Sequence, residues 1–369
     1  MPAEGPVFSS EVLATTAQVH EAAGFDRVLI GYFTHGADGF MVGAHTAAAT
    51  ERLGLLLAHR PGFIAPTLAA RKLATLDHIS GGRLAAHIIS GGSDADQACD
   101  GDFVDHDARY RRSDEYLLLM RRVWTETQPF DHDGEFYRVR GAHSSIRCRQ
   151  VPYIPLYGGG GSDAAINSLA PHIDTYMLWG EPLAETREFM VRVRDAAAQW
   201  ERTPRFSVST RPILSSTEDE AWARAFRILD QIRKSPWAQA ASVRRVENVG
   251  SQRLLDVASR RDVHDTCLFT ALATATGAPG NSTALVGTPE TVADALVEYY
   301  KIGATALLIR GYDPLNDAME YGNELIPRVR ERVAEIDRDR ASTTEGEPRV
   351  RDDRITNDVD GRRSMTSPP

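Results

Sequence analysis

Short runs that are apolar along most of their length recur through this chain, each separated from the next by a stretch of helical period. The runs lie at 26–31 (DRVLIG), 53–58 (LGLLLA), 83–90 (RLAAHIIS), 152–158 (PYIPLYG), 173–179 (IDTYMLW), 205–214 and 304–309 (ATALLI). A strand without polar alternation is buried on both faces, which calls for a parallel sheet covered by helices. The periodicity predicts those helices at 9–23, 38–50, 65–79, 106–125, 162–170, 183–200, 217–234, 289–302 and 314–335. Pro66 in a first turn and Gly81-Gly82 after a last one punctuate them as helix ends require. FDHDGEFYRV (130–139) reads as a hairpin turning at Asp133-Gly134.

Seven such strands are visible, and a closed (β/α)8 barrel needs eight. The chain opens on a helix, and residues 2–8 (PAEGPVF) hold two prolines and a glycine. Proline lacks the ladder donor, so that stretch cannot form a central strand. The expected fold is α/β, a TIM (β/α)8-type barrel lacking its first strand in this chain, with a helical insertion at about 236–285 before the last strand. The expectation for the open edge is that residues upstream of Met1, or contacts within an oligomer, complete it. Residues 1–336 form the barrel domain; the polar stretch 337–369 reads as a disordered tail.

The charge balance, 42 Lys+Arg against 51 Asp+Glu for a net −9, argues against nucleic acid as a partner. No apolar run approaches the roughly 18 residues of a membrane span, and MPAEGPVFSS is not a secretory leader. Cys99, Cys148 and Cys267 are odd in number and widely spaced, which fits a reducing cytoplasm. The eleven histidines show no metal-binding spacing, and no nucleophile elbow is present.

The strongest local signal is Tyr157-Gly158-Gly159-Gly160-Gly161-Ser162-Asp163, between a strand and a helix. It suits a phosphate cradle, and equally a flexible turn with Ser162 as helix N-cap. Asp105-His106-Asp107-Ala108-Arg109-Tyr110 opens a long helix, where an anion is favoured but Asp105 can simply cap. His59-Arg60-Pro61, Trp179-Gly180-Glu181-Pro182 and Arg310-Gly311-Tyr312-Asp313 each follow a strand, on what would be the active face. His87 lies inside a strand, facing either the barrel or its helical shell. Arg211 sits in an otherwise apolar or small-residue strand and needs a partner, either a ligand anion or a buried carboxylate. Together these suggest a phosphorylated cofactor that supplies the chemistry.

The segments RPGFIAPTLAARKLATLDHISGGR (60–83), DGDFVDHDARYRRSDEY (100–116), PLYGGGGSDAA (155–165), DTYMLWGEP (174–182), RFSVSTRPILSSTEDEAWARA (205–225), TALVGTPETVADALVEY (283–299) and LLIRGYDPLNDAMEYGNELIP (307–327) resemble the bacterial luciferase-like flavin monooxygenases, most closely their alkanesulfonate monooxygenase branch. The resemblance spans about residues 6–335. It implies a cytoplasmic, homo-oligomeric (dimeric or tetrameric) barrel enzyme that uses O2 and reduced FMN delivered by a separate NAD(P)H:flavin reductase. By the same resemblance Ser90, Tyr110, Gly161 and Ser162 hold FMN, the last two its phosphate. Trp179 lies near the flavin, Tyr312 lies near the reacting centre, and Arg211 offers an anion contact. No metal is implied.

The sequence departs from that branch at four places. Gly36 stands where it carries a Cys, Ser209 and Arg211 where it carries an Arg and a His, and Ala278 where it carries an Arg; the first strand, which bears a His there, is absent. The implied function is therefore oxidation of a small organic substrate, alkanesulfonate-like or a related organosulfur compound, with weak or absent turnover of simple alkanesulfonates and a neutral or differently charged substrate, such as a sulfone, expected in their place. A deazaflavin (F420)-dependent oxidoreductase and a non-catalytic flavin-binding barrel are the alternatives.

Overall fold

The structure, a computed structural model, describes residues 8–236, 248–278, 280 and 282–345. Its strands are β1 (Arg27–Ile30), β2 (Gly54–His59), β3 (Leu84–Ile88), the hairpin β4 (Phe130–Asp133) and β5 (Arg138–Ala142), β6 (Leu156–Gly158), β7 (Thr175–Trp179), β8 (Arg205–Leu214), β9 (Val263–His264), β10 (Leu268–Phe269), β11 (Ala284–Gly287) and β12 (Ala306–Ile309). Seven of them run parallel in the order β1-β2-β3-β6-β7-β8-β12, and they are the seven that the apolar runs predict. The chain has an α/β fold of TIM-barrel type. The barrel is not closed by hydrogen bonds: β1 and β12 each have one paired neighbour.

Helices start where side chains can accept the first amides. Asp38, Ser93, Asp105, Ser162, Thr217, Asn248 and Thr288 each accept from the amide three residues on. Pro66 and Pro289 occupy first-turn positions that lack an intrahelical donor role.

The insertion is a correction to the helical reading. It contains the helix Val249–Arg260, but also β9, β10, the short helix Ala271–Thr276 and β11. β11 is parallel to β8, yet it does not take the missing barrel position. It pairs with Arg211–Leu214 at the upper end of β8, while Ser207–Thr210 below pair with β12. The ten residues of β8 thus serve two sheets. The last helix, Ile326–Glu345, runs past residue 337, where the sequence predicts a tail; residues 346–369 lie outside the described residues.

The strand register separates two faces. Leu55, Leu57, Leu84, Ala86, Ile88, Leu156, Leu178, Phe206 and Val208 point outward into the helical shell and form the main core with Leu73, Leu117 and Met120. Burying each large member contributes about 1.5–3 kcal/mol. The opposite face carries Leu29, Leu56, Ala85, His87, Tyr157, Met177, Ser207, Ser209 and Leu308. It is less tightly filled at the open edge: Leu29 is 38% exposed, whereas its outward neighbour Ile30 is 8% exposed. Near its base, Arg27 Nη1 donates to the Tyr157 hydroxyl at 2.6 Å.

The open seam is braced from outside. Arg330 Nη2 donates to the Gly24 carbonyl (2.8 Å) and to Asp26 (2.9 Å). Gly322, within the π-helical turn Tyr321–Leu325, presses on Ala23 so closely that a Cβ would lie 2.6 Å from its carbonyl oxygen. No helix among the described residues is long and apolar enough to cross a membrane.

Candidate active site

The C-terminal ends of the parallel strands form a mouth, where a barrel of this type presents its functional groups. All seven candidate site residues lie there, in two groups.

The first group gathers at the ends of β3 and β6. Ser90 is buried, and its Oγ lies 2.8 Å from Ser113 Oγ. Ser113 sits one turn beyond Arg109 and Tyr110 in the helix His106–Thr125 and donates back to the Arg109 carbonyl. Tyr110 is buried and meets the glycine loop: a Cβ on Gly160 would lie 2.8 Å from its hydroxyl and 2.5 Å from Ala165 Cβ. Only glycine fits between them. Tyr176 ties the loop down by donating to the Gly160 carbonyl at 2.7 Å. Ser162 caps the next helix by accepting from the Ala165 amide at 3.2 Å, so the capping role is realised. It also hydrogen-bonds Tyr110. Burial raises the Tyr110 phenol pKa, opposed by the charge of Arg109 and by that Ser162 contact. Gly161 abuts the backbone of Gly250, at the start of the insertion helix.

The second group spans β7, β8 and β12. Trp179 ends β7 in register with Ser209. Its ring lies against Gly250 and packs with Leu254, Ala273 and Ala278. Ala278 is buried in this apolar cluster, so the position contributes no charge. The Arg211 guanidinium lies 5.0 Å from the centre of the Tyr312 ring and hydrogen-bonds that phenol. Arginine can only donate, so the Tyr312 proton stays available to another acceptor. Burial pushes Tyr312 up to about 12, partly offset by Arg211. The loop carrying Tyr312 is pinned by Asp317, which accepts from the amides of Tyr312 (2.6 Å) and Asp313 (2.9 Å) and pairs with Arg224 at 2.5 Å.

Other sequence candidates resolve differently. His59 does not face the mouth. It points into the shell, 2.7 Å from the Tyr116 hydroxyl and edge-on to Phe40, and burial with the charge of Lys72 lowers it to about 4. Its place at a strand end is deceptive because side chains alternate faces. Arg109 is buried and committed to Asp94 (2.7 Å) and the Val104 carbonyl (2.6 Å). His87 does face inward; burial lowers it to about 4, and its Nδ1 is buried without a hydrogen-bond partner.

Three contributors escaped sequence reasoning. Asp317 holds Tyr312 through backbone amides, and its charge adds to the rise of the phenol pKa. The Asp102–Arg112 pair (2.5 Å) borders a cleft of about 530 Å3 with Tyr32, Phe63 and Asp100. Gly250 reaches the mouth from the insertion. Gly250 depends on contacts distant in sequence, whereas Asp317 and Asp102 act on partners five and ten residues away. The acidic residues in the segment 100–116 were the one available hint.

Among solved structures, the fold is similar to riboflavin lyase RcaE with modified FMN and riboflavin (TM-score 0.70, 21% identity, 88% of this chain and 85% of that one). It is also similar to EDTA monooxygenase EmoA from Chelativorans sp. BNC1 (TM-score 0.72, 19% identity, 88% and 87%). A third neighbour is the coenzyme F420-dependent tetrahydromethanopterin reductase of Methanopyrus kandleri (TM-score 0.64, 18% identity, 88% and 97%). At these identities the likeness concerns the fold. The sequence itself matches the luciferase-like monooxygenases over residues 4–306. With that match covering most of the barrel and its mouth, the chain belongs to the luciferase-like monooxygenase family.

Proposed function

We propose that this chain is a flavin-dependent monooxygenase that uses reduced FMN, supplied by a separate NAD(P)H:flavin reductase, and O2 to oxidise a small organic substrate, working in the cytoplasm as a homo-oligomer. The observation that carries the reading is the convergence of Tyr110, Ser162 and the Gly160–Gly161 backbone at one strand end, on the same mouth as Trp179, Arg211 and Tyr312. A buried phenol beside a hydroxyl and a loop that admits no Cβ fits a phosphate monoester. The inward, unpartnered Nδ1 of His87 fits a polar ligand in the lumen.

When bound, FMN would supply the redox chemistry and the activation of oxygen. Tyr110, Ser162, Gly161 and Ser90 would hold and orient it. Trp179, on its apolar bed of Leu254, Ala273 and Ala278, would form a wall that limits water. Tyr312 stays protonated at neutral pH and can donate a hydrogen bond or a proton from its hydroxyl, while Arg211 holds the ring and screens any developing negative charge. His87 stays neutral and offers one acceptor or donor at the inner wall.

The test is anaerobic titration with FMN and riboflavin in both redox states. Reduced FMN is expected to bind more tightly than oxidised FMN. Riboflavin should lose about 2–4 kcal/mol, because several charge-assisted hydrogen bonds disappear at about 1.5–3 each. Equal affinity for FMN and riboflavin would remove the phosphate assignment. An F420-dependent reaction, as in the Methanopyrus neighbour, is separated by the spectrum of the cofactor that copurifies.

A further inference from the structure

The insertion helix Val249–Arg260 meets the ends of three neighbouring barrel strands, and its first turn touches them through glycine. A Cβ on Gly92, after β3, would lie 2.6 Å from Asn248 Nδ2. One on Gly161, after β6, would lie 2.9 Å from the Gly250 amide nitrogen, and one on Gly250 would lie 2.8 Å from the Trp179 ring at the end of β7. Such contacts set a distance of closest approach; they do not by themselves hold the helix in place.

Directed bonds come one turn further on. Arg253 grips Glu181 with two prongs: Nε donates to Oε1 at 2.8 Å, and Nη2 donates to Oε2. The same guanidinium lies 4.9 Å from the centre of the Phe189 ring. Glu181 is buried, and its carbonyl accepts from Thr186 Oγ1 (3.0 Å) and from the Tyr299 hydroxyl (2.7 Å). Only Gly180 separates it from Trp179, and a Cβ on Gly180 would lie 2.8 Å from the Ser209 carbonyl oxygen. The carboxylate and the indole thus belong to one tightly held stretch of backbone. Gly250 precedes Arg253 by three residues, about 4.5 Å along the helix axis. A second pair, Arg260 to Glu185 at 2.8 Å, holds the far end of the helix. Its side chains are 49% and 24% exposed, against 29% and 11% for Arg253 and Glu181. The inner pair, bidentate and better shielded, is the stronger and the more exact in geometry.

We propose that Glu181 and Arg253 form a positioning clamp, which sets how closely the first turn of the insertion helix lies on Trp179 and on Gly161 of the glycine loop. Both act through those neighbours and have no part in the chemistry. The consequence for FMN rests on the proposed function, whereas the placing of Trp179 does not.

The test reads Trp179 and FMN separately. Fluorescence of each flavin-free protein is taken as the difference from its Trp179→Phe counterpart, which isolates this indole from the other four tryptophans. In Glu181→Gln, of almost the same size, the Trp179 emission should shift to the red and its quenching by acrylamide should rise. FMN should bind on the order of 10-fold more weakly, the size of a coupling lost between groups in contact. Arg253→Gln should match it, and the double variant should be no worse than either single one, because both remove one contact. Arg253→Lys keeps the charge but not the fork, and should recover part of both signals. Arg260→Gln, which cuts the outer pair, should stay within about 2-fold of the parent. All are measured where circular dichroism shows the chain folded. A pair that serves stability alone would lower the unfolding midpoint and leave Trp179 quenching and FMN affinity of the folded protein unchanged. That result overturns the inference, and so does a loss in Arg260→Gln equal to that in Glu181→Gln. If Glu181→Gln does not fold, Arg253→Lys decides on the same two readouts. A parent that binds no FMN loses the flavin assignment, and the clamp is then judged on Trp179.

Discussion

The two halves of the mouth handle positive charge in opposite ways. At the ends of β2, β3 and β6 the arginines are buried and committed. Arg112 grips Asp102 with both terminal nitrogens, at 3.0 and 2.5 Å, Arg109 binds Asp94, and Arg60 is held by Gln97 (3.1 Å) and stacked 4.3 Å over the Tyr32 ring. At the ends of β8 and β12 the arginines are more open: Arg211 is half-buried over the Tyr312 ring and Arg310 is exposed. A buried cation with an internal carboxylate holds its own fold together, whereas a solvent-exposed cation contributes little to it. The first half therefore reads as scaffold and the second as the half whose charges face solvent.

The sharpest way to break this contrast is to cut the scaffold pair. Arg112→Ala leaves Asp102 buried with its charge unmatched. Burial by itself raises the Asp102 pKa, and the Arg112 hydrogen bonds reverse that shift. Breaking a buried pair in this way costs about 3–5 kcal/mol. Urea unfolding should show a loss of unfolding free energy of that size, with FMN affinity falling only as the folded fraction falls. A shift below about 1 kcal/mol would mean the pair is not scaffold.

Acid should act next, through the shell. The folded-state pKa of His59 lies near 4, against about 6.5 for the free side chain, because burial and Lys72 disfavour its charged form. The native state thus binds fewer protons than the unfolded state between those values. The stabilisation is complete above about pH 6.5 and is lost as pH falls toward 4, by about 3 kcal/mol for this one group. His87, also near 4 through burial, adds in the same direction. Unfolding free energies of the parent and of His59→Gln, compared at pH 7 and pH 4.5, isolate the effect: the variant should lose less on acidification. Parallel losses would show that His59 is already protonated in the folded chain.

A third test sharpens the role of the glycine loop. Tyr110→Phe removes one hydroxyl from the cradle and leaves the packing of the ring. With one hydrogen bond to a charged group gone, FMN should bind roughly 10-fold more weakly and riboflavin unchanged, about 1.5 kcal/mol. Anaerobic fluorescence titration measures both. An equal loss for both ligands would place Tyr110 against the flavin ring system instead of the phosphate. Ser162→Ala is a poorer probe, because it also removes a helix cap worth about 1 kcal/mol.

How far this organisation is legible in the sequence follows from the range of each signal. Apolar runs such as 53–58 and 173–179 report burial on both faces, a property of the run itself, and the parallel sheet is read directly from them. The strand Ala284–Gly287 is not legible within the helical insertion, because four residues carry too little period to separate strand from helix, and its partner is the upper part of a long strand about 70 residues earlier in the chain. The site is legible as a set of loop motifs following strands. Which side chains enter the mouth is not, since a single residue reverses face: His59 turns to the shell while Arg60, next to it, turns to Tyr32. The pinning of Tyr312 by Asp317 leaves no trace in residue type alone, because any short polar side chain could stand five residues on.

The smallest expected effect is the most discriminating for the contrast between the two halves. Arg310→Ala should change the unfolding free energy by no more than about 0.5 kcal/mol, as substitutions outside named stabilising features do, and the change should be toward stability. The reason is electrostatic. Removing Arg310 deletes no ion pair among the described residues and relieves repulsion with Arg211, a repulsion that already lowers the pKa of Arg310 after burial. Salt offers a second handle, since added salt screens that repulsion. The gain of the variant over the parent should be greatest at low ionic strength and should vanish near 0.5 M salt, whereas the Arg112→Ala deficit, being buried, should persist. Melting curves of parent, Arg310→Ala and Arg112→Ala across a salt series read all three. A deficit in Arg310→Ala that resembles the one in Arg112→Ala would mean that Arg310 is bound into the scaffold after all, and the two halves of the mouth would no longer differ in kind.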